Sequence, residues 1–333
     1  MSKRSFIHPR LWYLGILVYL LTGVGQGCWV GSVSAQPLSS RAGAFATLDL
    51  SVRAAGMGGA YTAISNDGNA IRYNPAATAF VKYASLSATT TRLFRLVPAT
   101  FIGVHYPTRY TSWLLGFEQI GDDLLRETTM AVAVAVRATD FLPANVLNLP
   151  GFRRMAFSAT LKFRLASFGN DPAGGENRIQ GQGRGYALDV GWLLNLSRIR
   201  VGLVLQELIS QFRWQSSGRG SYEQSMVRKL RFGIAYAVPE IRMAVDFEPA
   251  LYRDAADRIA VGLETQFMKW FVLRAGVAQN VGGLEQNKTY ALGTGVYGQF
   301  RRSGFIAVQL GYRNNDLGNQ WQVSLDLFWP GAR

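Results

Sequence analysis

Side chains that commonly catalyse reactions or bind metals are scarce in this chain. Its 333 residues include one cysteine, Cys28, and two histidines, His8 and His105. Without Cys28, which we expect to be removed with a signal peptide, thiolate zinc sites, disulfides and cysteine nucleophiles are excluded. The hydrolase, phosphate-loop and zinc-protease motifs are missing, and Gly56-Met57-Gly58-Gly59 lacks the spacing of a dinucleotide loop. We therefore expect no enzyme activity, metal or cofactor.

The charge of the chain is strongly positive. Lysine and arginine outnumber the acids by 14, and about 11 of this excess remains when Lys3, Arg4 and Arg10 leave with the signal. The arginines are spread along the chain without a nucleic-acid-binding motif, so we expect no nucleic-acid partner. Guanidinium groups pair well with phosphate oxygens. An exported basic surface of this kind suits contact with outer-membrane lipid or lipopolysaccharide.

Many of these charges occupy every second position of apolar segments. Lys162 and Arg164 alternate with Leu161, Phe163 and Leu165. A period of two places apolar residues on one face of a strand and polar residues on the other. The elements that position the charges are therefore predicted to be β-strands.

About fourteen segments share this pattern. They are residues 83–90, 99–106, 110–120, 128–137, 154–168, 184–195, 198–210, 226–237, 239–247, 257–266, 268–279, 288–300, 304–313 and 319–329. Most are longer than the five or six residues typical of soluble strands, and their length suits a tilted crossing of a bilayer. An even count also suits a closed barrel with both ends on one side.

Short and long connections alternate between these segments. The long polar ones are residues 169–183, 212–225, 248–256 and 280–288. Outer-membrane barrels show this alternation, with short periplasmic turns and long outer loops. Residues 139–154 fall where a short turn is expected, and we predict an added periplasmic segment with a short helix at 144–149. This segment and the loop 212–225, with Phe212, Trp214 and Tyr222, are candidates for partner contact.

A secreted β-sandwich or β-solenoid is the alternative fold. The long strands, the charges on their polar faces and the aromatic residues near strand ends all favour a barrel in a membrane. The tryptophans that would form interfacial girdles are Trp113, Trp192, Trp270, Trp321 and Trp329. We predict an all-β protein, a transmembrane antiparallel β-barrel of about 14 strands with an N-terminal lumenal hatch segment.

The first 35 residues have the pattern of a cleaved signal peptide. A basic start precedes an apolar run, 11–24, and the small residues Val33-Ser34-Ala35. An uncleaved N-terminal membrane anchor is the alternative. We predict a signal peptide at 1–35, a hatch segment at 36–80 and the barrel at 81–333, in the outer membrane of a Gram-negative-type bacterium.

The hatch segment contains AAGMGGAYTAISNDGNAIRYNPAA, residues 54–77. Its small residues allow close packing against barrel walls. Asn66-Asp67-Gly68 marks a turn, and Asn74-Pro75 is predicted to end a helix that begins near Asn69. A first hairpin with an ordinary turn would explain the glycines but not the whole string.

Residues 53–63 together with Tyr73-Asn74-Pro75-Ala76 resemble the N-terminal signature of the PorV/PorQ family, which is similar to the FadL long-chain fatty acid transporters. The resemblance implies a 14-stranded outer-membrane barrel with a hatch in its lumen. The hatch residues carried over by position are Gly56, Met57, Gly58, Gly59, Asn74, Pro75 and Ala76. The sequence departs from the family pattern at Ile71-Arg72 and in its Pro-Gly-Ala-Arg end.

Three functions remain open on this reading. The predicted lumen-lining residues are Lys162, Arg164, Asp189, Arg200, Arg231, Arg242, Asp246, Glu264, Arg274, Arg313 and Asp326. A lumen lined by this many charges is unfavourable for an apolar solute. Our main expectation is therefore a barrel that handles secreted cargo or other envelope proteins, resembling the type IX secretion shuttle. The alternative is a FadL-like passive channel for hydrophobic small molecules. A lipid hydrolase would need His105 as its base, without a matching serine motif.

Overall fold

The computed structural model describes residues 49–93, 96–170, 179–252, 256–281, 287–300, 303–315 and 318–331. The predicted signal peptide and the first part of the predicted hatch segment, 36–48, lie outside these residues.

The described chain is dominated by long β-strands. They are β1 (Tyr83–Leu93), β2 (Val97–Pro107), β3 (Thr111–Gly121), β4 (Leu125–Arg137), β5 (Met155–Phe168), β6 (Gly181–Leu196), β7 (Ile199–Ser216), β8 (Gly220–Gln224), β9 (Lys229–Ala237), β10 (Ile241–Glu248), β11 (Asp257–Met268), β12 (Phe271–Val281), β13 (Lys288–Phe300), β14 (Gly304–Asn315) and β15 (Gly318–Pro330). Each of the fourteen predicted segments corresponds to one of these strands.

The sheet closes on itself. All pairings are antiparallel, and the first strand pairs with the last from Tyr83 opposite Pro330 to Thr91 opposite Gln322. Strand β7 pairs with β6 on one side and with β9 on the other, while β8 only extends the outer part of β7. The result is a closed antiparallel barrel of 14 strands, which confirms the predicted fold. We call the end where β1 begins and β15 finishes the terminal end, and the opposite end the loop end.

The prediction of a loop at 212–225 was wrong. Strand β7 continues to Ser216 and forms a hairpin with β8, in which Trp214 lies opposite Tyr222. The polar residues that suggested a loop occupy one face of this hairpin, where Arg213 pairs with Glu223, while Phe212 and Trp214 are buried on the other. Buried rings of this kind are not an exposed surface for a partner.

The alternation of the strands is inverted relative to a soluble protein. On β5, Lys162 and Arg164 are buried, whereas Phe163 and Leu165 are 51% and 53% exposed. Apolar side chains outside and polar side chains inside are the arrangement of a membrane barrel. Among the described residues, no helix is long and apolar enough to cross a membrane.

The terminal end carries most of the strand-end tryptophans. Trp113, Trp192, Trp270 and Trp329 lie there, and Trp321 lies at the loop end. The connection between β4 and β5 is also at the terminal end. It contains three short helices, Ala138–Phe141, Ala144–Leu147 and Phe152–Arg154, in place of the tight turns that join the other strands there.

Candidate functional site

Residues 49–81, which we call the lumenal segment, run inside the barrel. The segment contains helix α1 (Val52–Gly56) and two 3₁₀ helices, Gly68–Arg72 and Pro75–Phe80. Helix α1 packs against β12 to β15, the first 3₁₀ helix against β1 to β4, and the second against β2 to β6. Because these strands lie on different sides of a closed sheet, the segment occupies the interior.

Short polar side chains begin each helical turn of the lumenal segment. The hydroxyl of Ser51 accepts from the main-chain N–H of Ala54, the carboxylate of Asp67 from that of Asn69, and the amide of Asn74 from that of Ala76. Such caps satisfy N–H groups that the short helices leave unpaired. Pro75 occupies the first turn of the last helix, where its missing N–H is tolerated.

Glu264 on β11 is the centre of the main charge cluster. Its carboxylate accepts two hydrogen bonds from the Arg53 guanidinium of α1, at 2.7 and 2.8 Å. Arg274 on β12 and Arg242 on β10 donate to the same carboxylate at 2.7 and 2.5 Å. Glu264 is 1% exposed. A buried carboxylate with three guanidinium partners joins the lumenal segment to three wall strands.

Asp246 on β10 holds the next part of the lumenal segment. Its Oδ2 accepts from the main-chain N–H groups of Tyr61 and Thr62 at 3.0 and 2.9 Å, and from the Thr62 hydroxyl at 2.6 Å. A turn inside the barrel has no sheet ladder for its N–H groups, so the carboxylate provides their partner.

Asp49, at the start of the lumenal segment, pairs with inward arginines of β11 and β14. Its carboxylate lies 3.6 Å from Arg258 and 3.4 Å from Arg313, and accepts from the Tyr73 hydroxyl at 3.0 Å. Burial acts to raise the pKa of Asp49, but Arg313, Arg258 and Arg231, with the hydrogen bond from Tyr73, outweigh it and lower that pKa to about 2. The carboxylate is therefore ionised at neutral pH.

Further bonds attach the segment to the rest of the barrel. Arg72 pairs with Glu118 on β3, and the Asn74 amide donates to the carbonyl of Trp192 on β6 at 3.0 Å. The Ser112 hydroxyl donates to the carbonyl of Thr78 and lies 3.3 Å from the ring of His105. His105 and Ser112 thus belong to a contact between the wall and the lumenal segment.

A second charge cluster lies on β5 to β7. Lys162 contacts Asp189 at 2.6 Å and Glu207 at 3.1 Å, and Arg164 contacts Glu207 at 2.7 Å. Glu207 sits in an irregularity where residues 206–208 of β7 oppose Asp189 alone, and its φ is +58°. The positive φ turns an odd-numbered side chain inward. Strict alternation predicts that Glu207 faces the lipid, so its inward position was not predictable from the pattern of the strand.

The predicted lumen-lining residues all lie on inward positions, and most belong to these clusters. Arg231 bonds Glu248 at 2.9 Å, and Asp326 accepts from Gln309. Arg200 lies opposite Ala235, a buried inward position, and remains partly exposed. Asp49, Arg53 and Asp67 were not predicted as lumenal charges, because the alternating pattern marks charges on strands, whereas glycines and small residues marked the lumenal segment.

Wall glycines let the lumenal segment approach the sheet. A side chain on Gly276 would overlap the main chain of Met57, and one on Gly58, whose φ is +67°, would lie 2.8 Å from the nitrogen of Val277. Main chain therefore lies against main chain at this point. Other wall glycines that face the segment are Gly103, Gly191, Gly202, Gly233, Gly262, Gly293 and Gly311.

Gly276→Ala is expected to loosen the lumenal segment. The added methyl group displaces Met57 or the strand, and overpacking of this kind costs about 1–3 kcal/mol. The matched control is Gly298→Ala, because a methyl group there would meet only Ile306 at 3.6 Å. The free energy of unfolding, measured in urea on the refolded barrel, should fall for Gly276→Ala alone. Equal values for both variants would show that the close approach does not matter for stability.

Aromatic side chains cluster on the lumenal side at the loop end. The ring centroids of Phe168 and Phe212 lie 5.5 and 5.0 Å from that of Trp214, and Tyr222 stacks on Trp214 at 6.4 Å. Met226 packs in the same cluster. The inward direction follows from the register, since Phe212 and Trp214 lie opposite Gly185 and Gly183, next to inward-facing Arg164 and Ala166. The cluster thus lies directly above the Lys162–Glu207 charges.

Comparison with known proteins gives matches at the level of structure only. No family profile and no curated protein matches the chain. It is similar to the CymD monoaromatic hydrocarbon channel, with a TM-score of 0.57 and 13% identity over 85% of this chain and 98% of that one. The toluene transporter TbuX of Ralstonia pickettii is similar with a TM-score of 0.54 and 11% identity, over 84% of this chain and 98% of that one. The toluene transporter TodX of Pseudomonas putida is similar with a TM-score of 0.50 and 11% identity, over 84% of this chain and 97% of that one.

These similar structures are a hydrocarbon channel and two toluene transporters, which are transport proteins rather than enzymes. At such low identity the likeness extends to the fold alone, and it spans the barrel nearly completely in each case. The chain therefore has the fold of a FadL-type outer-membrane β-barrel.

Proposed function

We propose that the chain is a passive outer-membrane channel for hydrophobic small molecules, closed by the lumenal segment. The observation that carries the proposal is the fold shared with hydrocarbon channels over 84–85% of the chain. The domains of the proposal are a signal peptide at 1–35, a hatch at 36–80 and a barrel at 81–333, with the loop end outside the cell.

The aromatic cluster at the loop end supplies the entrance in this proposal. Phe168, Phe212, Trp214 and Tyr222 form an apolar cluster where the outer loops meet the lumen, and Phe168 and Tyr222 are its partly exposed members. Aromatic rings receive other aromatic or apolar molecules favourably, through stacked and edge-to-face contacts. Below the cluster the lumenal face of the wall is charged. An apolar solute therefore moves further only when there is a shift of the hatch residues, which include Gly56 to Gly59 and Asn74 to Ala76. No energy source is required.

Uptake of a radiolabelled monoaromatic hydrocarbon by intact cells tests this function. Cells that carry the protein in the outer membrane should take up toluene several times faster than cells with an empty vector. Trp214→Ala should remove most of the gain, whereas Trp270→Ala, an outward tryptophan that is 52% exposed at the terminal end, should not. Uptake equal to that of the empty vector, with a folded barrel present, would refute the channel.

Handling of secreted cargo is the second candidate function. The resemblance at residues 53–76 suggests it, and the helical connection 138–154 gives it a surface, since Phe141 and Leu149 are exposed there. The similar structures favour the channel over this role. Binding of a periplasmic partner to this connection should be lost when residues 138–154 are replaced by a short turn. The barrel itself should stay folded.

A further inference from the structure

A groove lies on the outside of the barrel at the loop end, across strands β4 to β7. It has a volume of about 340 Å³, and three arginines, Arg126, Arg184 and Arg213, stand along it. The other outward side chains that line it are Thr128, Leu165, Ser167, Gln182 and Gln215. The groove thus combines three cations, several hydrogen-bonding groups and one large apolar side chain.

The strand register shows that these arginines face away from the lumen. Leu165 lies opposite Arg184, and Arg184 lies opposite Arg213, so the three side chains share one face of the sheet. The adjacent positions Arg164 and Ala166 are buried and face inward. The groove is therefore separate from the lumenal charges and from the aromatic cluster.

The groove lies where the outward apolar band ends. On β5 this band runs from Met155 to Leu165, and the ten steps between these residues, at about 3.3 Å each and tilted by about 40°, span about 25 Å, the height of the apolar band of such barrels. On β6, Arg184 is the next outward residue after the exposed Tyr186. The arginines are thus placed at the level of lipid headgroups.

The arginine charges are available to an anion. Arg184 makes no ion pair with any residue that the structure describes. Arg126 pairs with Asp123 at 2.7 Å, and Arg213 with Glu223 at 2.5 Å, but all four side chains of these pairs are 45–66% exposed. Exposed pairs contribute little, so a doubly charged phosphate competes with them.

We propose that this groove binds the phosphorylated headgroup of lipopolysaccharide in the outer leaflet. Arg126, Arg184 and Arg213 hold the phosphate oxygens, and Leu165 contacts the start of an acyl chain. The inference rests on the outer-membrane placement with the loop end outside. It is independent of hydrocarbon transport, because the three arginines and Leu165 that would hold the headgroup face away from the lumen.

Binding of fluorescent bisphosphorylated lipid A to the detergent-solubilised full-length protein tests the proposal. The variant with Arg126→Gln, Arg184→Gln and Arg213→Gln should bind at least about tenfold more weakly, since three charge-assisted contacts are lost. The matched control changes three exposed arginines at the terminal end, Arg109→Gln, Arg154→Gln and Arg198→Gln, and should bind like the unmodified protein. Both triple variants should retain heat-modifiable migration.

Two further binding measurements distinguish a lipid-bound phosphate from free phosphate. Dephosphorylated lipid A should bind the unmodified protein and the groove variant equally, and inorganic phosphate at the same concentration as lipid A should not compete. If the triple variant does not fold, Arg184→Gln alone replaces it in the binding measurement, and it is expected to weaken lipid A binding severalfold. Unchanged affinity in the groove variant, an equal loss in the terminal-end control, or competition by inorganic phosphate would each overturn the assignment.

Discussion

Glu264→Gln is expected to release the lumenal segment while the barrel stays folded. The substitution keeps the size of the side chain but removes the charge shared by Arg53, Arg242 and Arg274. Three guanidinium groups then remain together in a buried site, and breaking a buried ion pair in this way costs about 3–5 kcal/mol. The wall keeps its strand pairing because the lost bonds are between side chains.

Two measurements follow this change in Glu264→Gln. Limited proteolysis should cut within residues 49–81, and the free energy of unfolding in urea should fall by several kcal/mol. The control is Glu223→Gln, whose partner Arg213 is exposed on the hairpin, and it should change stability by less than about 1 kcal/mol. A resistant segment and a loss no larger than that of the control would show that Glu264 does not hold the segment.

Removal of residues 36–80 is expected to open an ion-conducting pore. Of these residues, the described part 49–80 lies between the walls, and the deletion leaves an interior lined by Asp246, Glu264, Arg242 and Arg274. Water enters such a polar interior readily and solvates the charges that the segment had neutralised. In planar bilayers, the unmodified protein should be closed and the deletion variant should show discrete conductance steps.

The matched control shortens the chain elsewhere. Replacement of residues 138–154 by a short turn removes helices outside the lumen, so this variant should stay closed. Heat-modifiable migration must be retained by both variants. If the deletion variant is as silent as the unmodified protein, the side chains of the wall fill the lumen by themselves, and the hatch proposal fails.

The strands and their closure were predictable because alternation is a local property of the sequence. On β5 the pattern of Lys162 and Arg164 against Phe163 and Leu165 gives both the element and its two faces. The inward positions of the wall charges follow from the same pattern. Residues 212–225 were misjudged because polar residues on one face of a hairpin resemble a loop when they are counted by composition.

The contacts inside the barrel were not predictable in this way. Glu207 faces inward only because an irregular pairing and a positive φ reverse its direction. The partners of Arg53 and Thr62 lie 211 and 184 residues further along the chain. No local pattern reports contacts over such separations, although the density of glycine at 56–59 does indicate that a close approach occurs there.

The closure of the barrel by its first and last strands also sets the order of assembly. The lumenal segment is synthesised before any strand and leads directly into β1, yet its partners Glu264 and Asp246 are made much later. The lumenal segment therefore lacks these wall partners until β10 and β11 have been synthesised and have joined the sheet. Once β15 joins β1 the sheet is closed, and the wall and the segment meet main chain to main chain at Gly276. A closed sheet has no edge through which the segment could pass, so the two ends of the cylinder are the routes left to it.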